Sequence, residues 1–487
     1  MSSFNRDVLV LILEELKNDK NSLFSCLLVD RTWCLIAVRI LWRNPWQYFT
    51  TINSKIIMLF NVLFLHLSKE SRDILKGQGI DNHITESHGC PLFDYINFIK
   101  YLDFFFIRCM IPRKTKKTKI SIVKSEIFKL FINNNTKFIH LSIPQNFYNQ
   151  IHLIPGAEHC FSELESFHCN MDISQNILEW LVRCKSIKKV IIENMFFNYS
   201  VKCLEIIKLI EAQESLNDVK FINLSESYES FDKSLEKSLI KHAATIQYLR
   251  FDWTPITKFL LHFVNLSCLE IFLPGYSVWK DLNYFENISL PNLKILRTSR
   301  VRPIILTNLI ENIKGNLTEI SVLYDYHGDD SKMFIQAIYR KCPNLRYLRL
   351  SLLLFRNIEL LISEYESLLS NSRYLNGLII DIYTGYNTEF KWNEFFMILA
   401  KSSPISLFKF KFSSNKLIQL KDIKLFFDNW ENRNSIILEI SNKDYNVNIK
   451  AKQQLEDLIK KYKVKGIVDR YSIGFNTVYH ENEFEWN

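Results

Sequence analysis

Glycine is scarce, with 11 in 487 residues, and none falls in a GxxxxGK[ST] pattern. A loop that cradles phosphate with successive backbone N–H groups needs glycine's conformational freedom, so that class of site is not expected. No GxSxG elbow and no HExxH helix occurs either, which removes the usual starting points for a serine hydrolase or a zinc peptidase. The ten cysteines form no CxxC pair, and neighbours such as Phe24 and Leu27 around Cys26 are those of core positions; a reducing compartment is expected. No window reaches the roughly 18 apolar residues of a membrane span, and the best, 56–67, is shorter and holds Asn61 and His66. The first apolar run has no basic leader and is interrupted by Glu14 and Glu15, unlike a secretory signal. These absences predict a soluble protein of cytoplasm or nucleus, with no cofactor, no metal and no membrane partner. The net charge of +9 permits an acidic partner or a nucleic acid and requires neither.

What is present begins with a compact helical stretch, 4–46. A helix is expected from about Asp7, a cap or first-turn residue, with Leu9, Ile12, Leu13 and Leu16 on one face. Residues 17–21 break it. A second helix follows Ser22 as cap and runs through Leu23, Phe24, Leu27, Leu28 and Val29. A third starts at Asp30 and carries Trp33, Ile36, Ala37, Ile40 and Leu41 until Pro45 forbids continuation. A unit of about forty residues has little interior, so some of these apolar side chains are expected to face a partner.

Phe4, Asp7, Leu9, Ile12, Leu13, Leu16, Leu23, Leu27, Val29, Arg31, Trp33 and the closing Leu41-Trp42-Arg43 resemble an F-box. That module docks substrate receptors on the S-phase-kinase-associated adaptor, and through it on a cullin, in cullin-RING ubiquitin ligases. Where the family often has Leu-Pro, this chain has Phe4-Asn5. The resemblance implies adaptor contacts from Phe4, Leu9, Leu13, Leu16, Leu23, Leu27, Leu28, Val29 and Trp33.

Beyond it, 54–76 reads as helix with an amphipathic tail, 78–91 as a polar loop, 92–106 as a helix or helix pair and 124–132 as helix. From about residue 138 a pattern apolar-x-x-apolar-x-apolar recurs, starting at Phe138, Leu164, Ile187, Val219, Ile246, Leu266, Leu293, Leu317, Leu345, Leu375 and Ile405. The spacing is near that of leucine-rich repeats, with helical patterns such as 332–340 and 394–401 between the strands. Each unit must bury its apolar face on its neighbours. CPNLRYLRL at 342–350 and LPNLKIL at 290–296 are similar to the strand openings of F-box proteins that bear such repeats. The expected fold is therefore α/β: a three-helix F-box over 1–46, a helical linker region over 47–136, and an irregular leucine-rich-repeat solenoid over 137–470. The solenoid would be a horseshoe with parallel strands inside and helices outside, closed by an amphipathic helix at 451–462. A tail, 471–487, ends in acidic and aromatic residues read as disordered.

Chemistry is thinly represented. His159, Cys160, His168, Cys169 and Cys184 have ligand character but fit no compact zinc spacing, and the pairings in His83, His88, Cys90 and in 325–330 read as loops. The basic run 113–119 reads as a solvated loop. Alternation along the strands places Arg250, Arg297 and Arg349, then Lys409 and Lys411, on the concave face, with Asp252, Glu270 and Asp381 also exposed there. Such a basic ridge would suit an acidic or phosphorylated target. The combined expectation is a non-catalytic substrate receptor that binds an unknown protein target, with nucleic acid not expected as a partner. The alternative is a repeat scaffold unrelated to ubiquitin that binds an acidic partner or nucleic acid.

Overall fold

In a computed structural model the described residues are 5–475, apart from 50–53, 79–90, 112–116, 194–202, 224–228, 274–284, 286, 327–328, 355–358, 386–388, 431–432 and 443–448. Phe4, His83, His88, Cys90, most of the basic run and the final tail residues lie outside them. The chain divides into two compact units, Met1–Leu216 and Asn217–Asn487.

The first unit opens with three helices, α1 (Arg6–Glu15), α2 (Lys20–Cys26) and α3 (Arg31–Arg43). The cap of α1 is Asn5, whose side chain accepts from the Asp7 N–H at 3.1 Å, so Asp7 sits in the first turn. Asp19, not Ser22, caps α2, accepting from the Asn21 and Ser22 N–H groups. Asp30 caps α3 as expected, accepting from the Trp33 N–H at 2.9 Å. Pro45 occupies the first position of a 3-10 turn, Pro45–Tyr48, immediately after α3.

Among the described residues fourteen strands follow, four in the first unit and ten in the second. They are β1 (Tyr101–Asp103), β2 (His140–Ile143), β3 (Ser166–Asn170), β4 (Lys189–Glu193), β5 (Asp218–Ile222), β6 (Tyr248–Phe251), β7 (Cys268–Phe272), β8 (Ile295–Ser299), β9 (Glu319–Tyr326), β10 (Tyr347–Leu354), β11 (Gly377–Thr384), β12 (Lys409–Ser414), β13 (Ile436–Asn442) and β14 (Val468–Phe475). Within each unit consecutive strands pair in parallel. Parallel neighbours require a crossover between them; helices such as Pro303–Glu311 and Trp392–Ser402 supply it. All eleven expected strands are present, ten beginning two to four residues after the start of the apolar pattern and β5 one residue before it.

Three of the expected boundaries are displaced. The region 47–136 is not all helical, since β1 begins the sheet at Tyr101 between short helices Tyr95–Phe98 and Phe104–Cys109. The helix Ile449–Val464 does not close the array, because β14 follows it and pairs with β13 from Ile436 to Asn442. Residues 471–475 are therefore strand and not tail. Short or late strands lack the recurring leucine spacing, and that hid β1, β13 and β14.

The three-helix unit packs against the first strand. Trp46 Nε1 donates to the Tyr101 carbonyl at 2.8 Å, and the Lys100 N–H donates to the Arg43 carbonyl at 2.8 Å. Trp42 stacks on Tyr95 with ring centres 4.2 Å apart. An edge strand exposes unpaired backbone groups that invite pairing with another chain, and here the helical unit satisfies part of that edge. Hence the helices adjoin the array directly, contrary to the expectation of an intervening linker.

Asparagines tie successive repeats of the second unit together. Asn265, Asn292, Asn316 and Asn344, each just before a buried leucine, donate through Nδ2 to the carbonyls of Ala244, Val264, Pro291 and Gly315 at 2.8, 3.0, 2.7 and 3.2 Å. Those carbonyls lie in the turns that lead into the preceding strand, where backbone acceptors must find partners outside helix and ladder. In β12, Phe410 and Phe412 contact Phe426 and Phe396 of two helices, so Lys409 and Lys411 point to the opposite sheet face.

Candidate functional site

The three helices have a complete core of their own. Leu9, Leu13 and Leu23 are buried together with Ile36, Ala37, Ile40 and Leu41, and Val10, Leu16, Leu27 and Trp33 pack partly against them. The expected adaptor contacts among the described residues therefore separate into three groups. Leu9, Leu13 and Leu23 hold the unit together and are not available to a partner, while Leu16, Leu27 and Trp33 are half-buried. Leu28 and Val29 are exposed, at 89% and 59%.

Additional apolar surface comes from residues that the sequence pattern did not separate from the core. Val8, Leu11 and Ile12 are exposed on α1, and their i, i+3, i+4 spacing puts them on one face. Phe24 is exposed on α2. Ile12, grouped by spacing with Leu9 and Leu13, faces outward instead. The signal was legible in principle: α1 carries two apolar stripes, 9/13/16 and 8/11/12, and one helix of a three-helix unit can bury only one. Glu14 and Arg43 form a two-pronged ion pair between α1 and α3, one prong at 2.8 Å. It raises the Arg43 pKa, chiefly through the hydrogen bond to Glu14.

The second site expected from the sequence is the arginine ridge. Register makes Lys220, Arg250, Glu270, Arg297, Ser321 and Arg349 neighbours on successive strands β5 to β10. The ridge is neither exposed nor uncompensated. Arg250 Nε lies 3.2 Å from Asp252 Oδ1 and Arg250 Nη1 3.9 Å from Glu270 Oε2. Arg297 reaches Glu270 through Nη1 at 2.9 Å and Glu319 through Nε at 2.6 Å. Arg349 Nε donates to Asp381 Oδ2 at 2.9 Å, which also accepts from Ser351 Oγ at 2.9 Å. Three arginines thus meet four carboxylates, and Arg250, Arg349, Asp252, Glu270 and Asp381 are all buried.

This corrects the expectation that both the bases and Asp252, Glu270 and Asp381 lie open on the face. Opposite charges placed two residues or one strand apart satisfy each other before any ligand arrives. Burial pushes the Asp252 carboxyl above its ordinary value, with Arg250 opposing it only in part. Burial alone would lower the Arg297 guanidinium, but its bonds to Glu319 and Glu270 outweigh that and hold it above the usual value. Arg297 is the more accessible arginine, with Lys411 similarly half-buried and paired to Glu439 at 2.7 Å. Lys409 lies 5.8 Å from the Phe408 ring centre.

The first unit carries a polar face that the sequence did not suggest. His140 Nδ1 is 2.8 Å from Ser166 Oγ, and its ring stacks on Tyr101. His168 Nε2 lies 3.3 Å from Glu193 Oε1. Burial, with His168 and Lys189 close by, pushes the His140 imidazole down to about 4. His168 and the fully buried Cys169 alternate to opposite faces of β3, so the expected ligand types do not converge. Among the described residues no group of three or more His, Cys, Asp or Glu side chains is arranged to hold a metal ion. Nor is any helix of the described residues long and apolar enough to cross a membrane.

At the C-terminal ends of β11 and β12 a cleft of about 610 Å³ sets Lys391, Lys416 and Lys421 against Glu389 and Asp422, with Trp392 in the wall. Its mixed charge selects neither an anion nor a cation. Compared with models of protein families and with curated protein sequences, the chain matches none.

Proposed function

We propose that the chain is the substrate-recognition subunit of a cullin-RING ubiquitin ligase, with 1–46 acting as an F-box and the repeats as an irregular leucine-rich-repeat horseshoe that holds the target. The carrying observation is the exposed apolar set Val8, Leu11, Ile12, Phe24, Leu28 and Val29 on a helical unit whose core is already filled. Surface of that kind marks a protein contact. The role is non-catalytic: proximity between target and a ubiquitin-carrying enzyme supplies the rate. On the target side Arg297, Lys409 and Lys411 remain as contacts, whereas Arg250 and Arg349 serve the fold.

The test is co-expression with the S-phase-kinase-associated adaptor. Leu11→Asp with Leu28→Asp changes two exposed positions, and is expected to abolish co-purification while leaving the unfolding midpoint within the range of surface substitutions, about 0.5 kcal/mol each. Leu13→Ala, at a fully buried site, should instead cost about 2–5 kcal/mol. No adaptor binding by the unaltered chain, or full binding by the double variant, sinks the reading.

A further inference from the structure

The last turn of the helix Ile449–Val464 and the turn after it gather Lys460, Lys461, Lys463 and Lys465, all exposed. Lys460 is paired with Glu456 at 3.2 Å. Lys461 and Lys463 have no carboxylate within ion-pair distance among the described residues, and Lys465 lies 4.8 Å from the Tyr462 ring centre. In their midst Val464 is 90% exposed, the most exposed of the large apolar side chains described. Over 449–470 seven cationic side chains face three carboxylates, so these residues supply a large part of the chain's excess of positive charge.

Lysines at a helix C-terminus complement the negative end of the macrodipole, which accounts for one or two of them. It accounts neither for Lys465, beyond the helix end, nor for a bare valine among the charges. We propose that this turn docks an acidic polypeptide segment that carries an apolar side chain, its carboxylates meeting Lys461, Lys463 and Lys465 and its apolar group covering Val464. Lysine is a point charge on a flexible stem and selects charge over geometry. Single-stranded nucleic acid would want an exposed ring for base stacking, and Tyr462, the aromatic residue of this turn, is 1% exposed. The surface lies wholly in the second unit and does not depend on the adaptor reading.

The probe is a labelled peptide of glutamates with one central leucine, titrated into the full chain and followed by fluorescence anisotropy. Binding is expected to weaken steeply with salt, as exposed charge contacts do. Lys461→Gln, Lys463→Gln and Lys465→Gln together should weaken it about tenfold, the summed effect of three exposed ion pairs. Val464→Ser should weaken the leucine peptide, leave its salt dependence unchanged, and not affect a peptide with serine in place of leucine. Each variant alters only exposed side chains, and its circular dichroism should match that of the parent chain. The proposal is overturned if the leucine peptide does not bind, if the triple lysine variant binds as well as the parent, or if the serine peptide binds equally well. It is also overturned if an oligothymidylate binds more tightly than the peptide and is released by the same lysine changes.

Discussion

Removing one member of the Arg349–Asp381 pair should be far more damaging than removing both. Asp381 is fully buried and Arg349 4% exposed, joined at 2.9 Å between β10 and β11. Arg349→Ala takes the Arg349 guanidinium away from the buried Asp381 carboxylate, and Asp381→Ala takes that carboxylate away from the buried Arg349 and from Ser351 Oγ. Stranding one charge of a buried pair costs about 3–5 kcal/mol, because the desolvation penalty stays while the attraction goes. Arg349→Leu with Asp381→Val removes both penalties, so its cost should fall below either single value, with a coupling of about 2–3 kcal/mol. Urea titrations of the four proteins give the cycle, and hydrogen exchange at the amides of β10 and β11 assigns the loss to those strands. If Arg349→Ala costs no more than about 0.5 kcal/mol, the size of an ordinary surface change, or the two singles add, the arginine is not held by the fold. The ridge would then have to be reconsidered as a target site.

Two other perturbations probe different parts of the chain. The His140 imidazole is depressed from 6.5 to about 4 by burial and by His168 and Lys189; the folded state therefore binds its proton less readily than the unfolded one. That contribution is present above pH 6.5 and is lost as pH falls towards 4, about 2 kcal/mol of it by pH 5. Urea midpoints at pH 7.5 and 5.0 should show this loss in the parent chain and not in His140→Gln, and an equal loss in both would assign it elsewhere. In the second unit Glu236 is fully buried and accepts from Trp253 Nε1 at 3.1 Å, the Ile256 N–H at 2.9 Å, the Thr257 N–H at 2.8 Å and Thr257 Oγ1. Glu236→Gln turns an acceptor into a donor facing donors, and should cost about 3 kcal/mol, roughly that of losing one or two charged hydrogen bonds; a thermal melt that does not move would refute it.

The contrast between what was and was not legible follows from how many positions share a constraint. Eleven strands could be read because each places two or three apolar residues at fixed offsets, and the same burial requirement repeats them along the chain. β1 has three residues and an apolar centre, Leu102, with no neighbouring repeat to reinforce it; its position is set by Trp46 and Arg43 from the helical unit, contacts separated by more than fifty residues. The helices α1 to α3 show the same limit on a smaller scale. Spacing identified which residues of α1 are apolar and helical, but Leu13 at 0% and Ile12 at 42% exposure differ by a rotation that only the packing of α1 on α3 decides. The arginine ladder failed for a further reason. Alternation correctly put Arg250, Arg297 and Arg349 on the face away from the helices, and Glu270 and Asp381 there as well. Whether such charges attract a ligand or each other depends on register across strands, which brings Glu270 between two arginines and Asp381 beside a third. Once paired and buried, an arginine has lost most of the electrostatic field that a phosphate would respond to. Lys461, Lys463 and Lys465 escape that fate: they stay exposed at a helix end, with no carboxylate within ion-pair distance among the described residues.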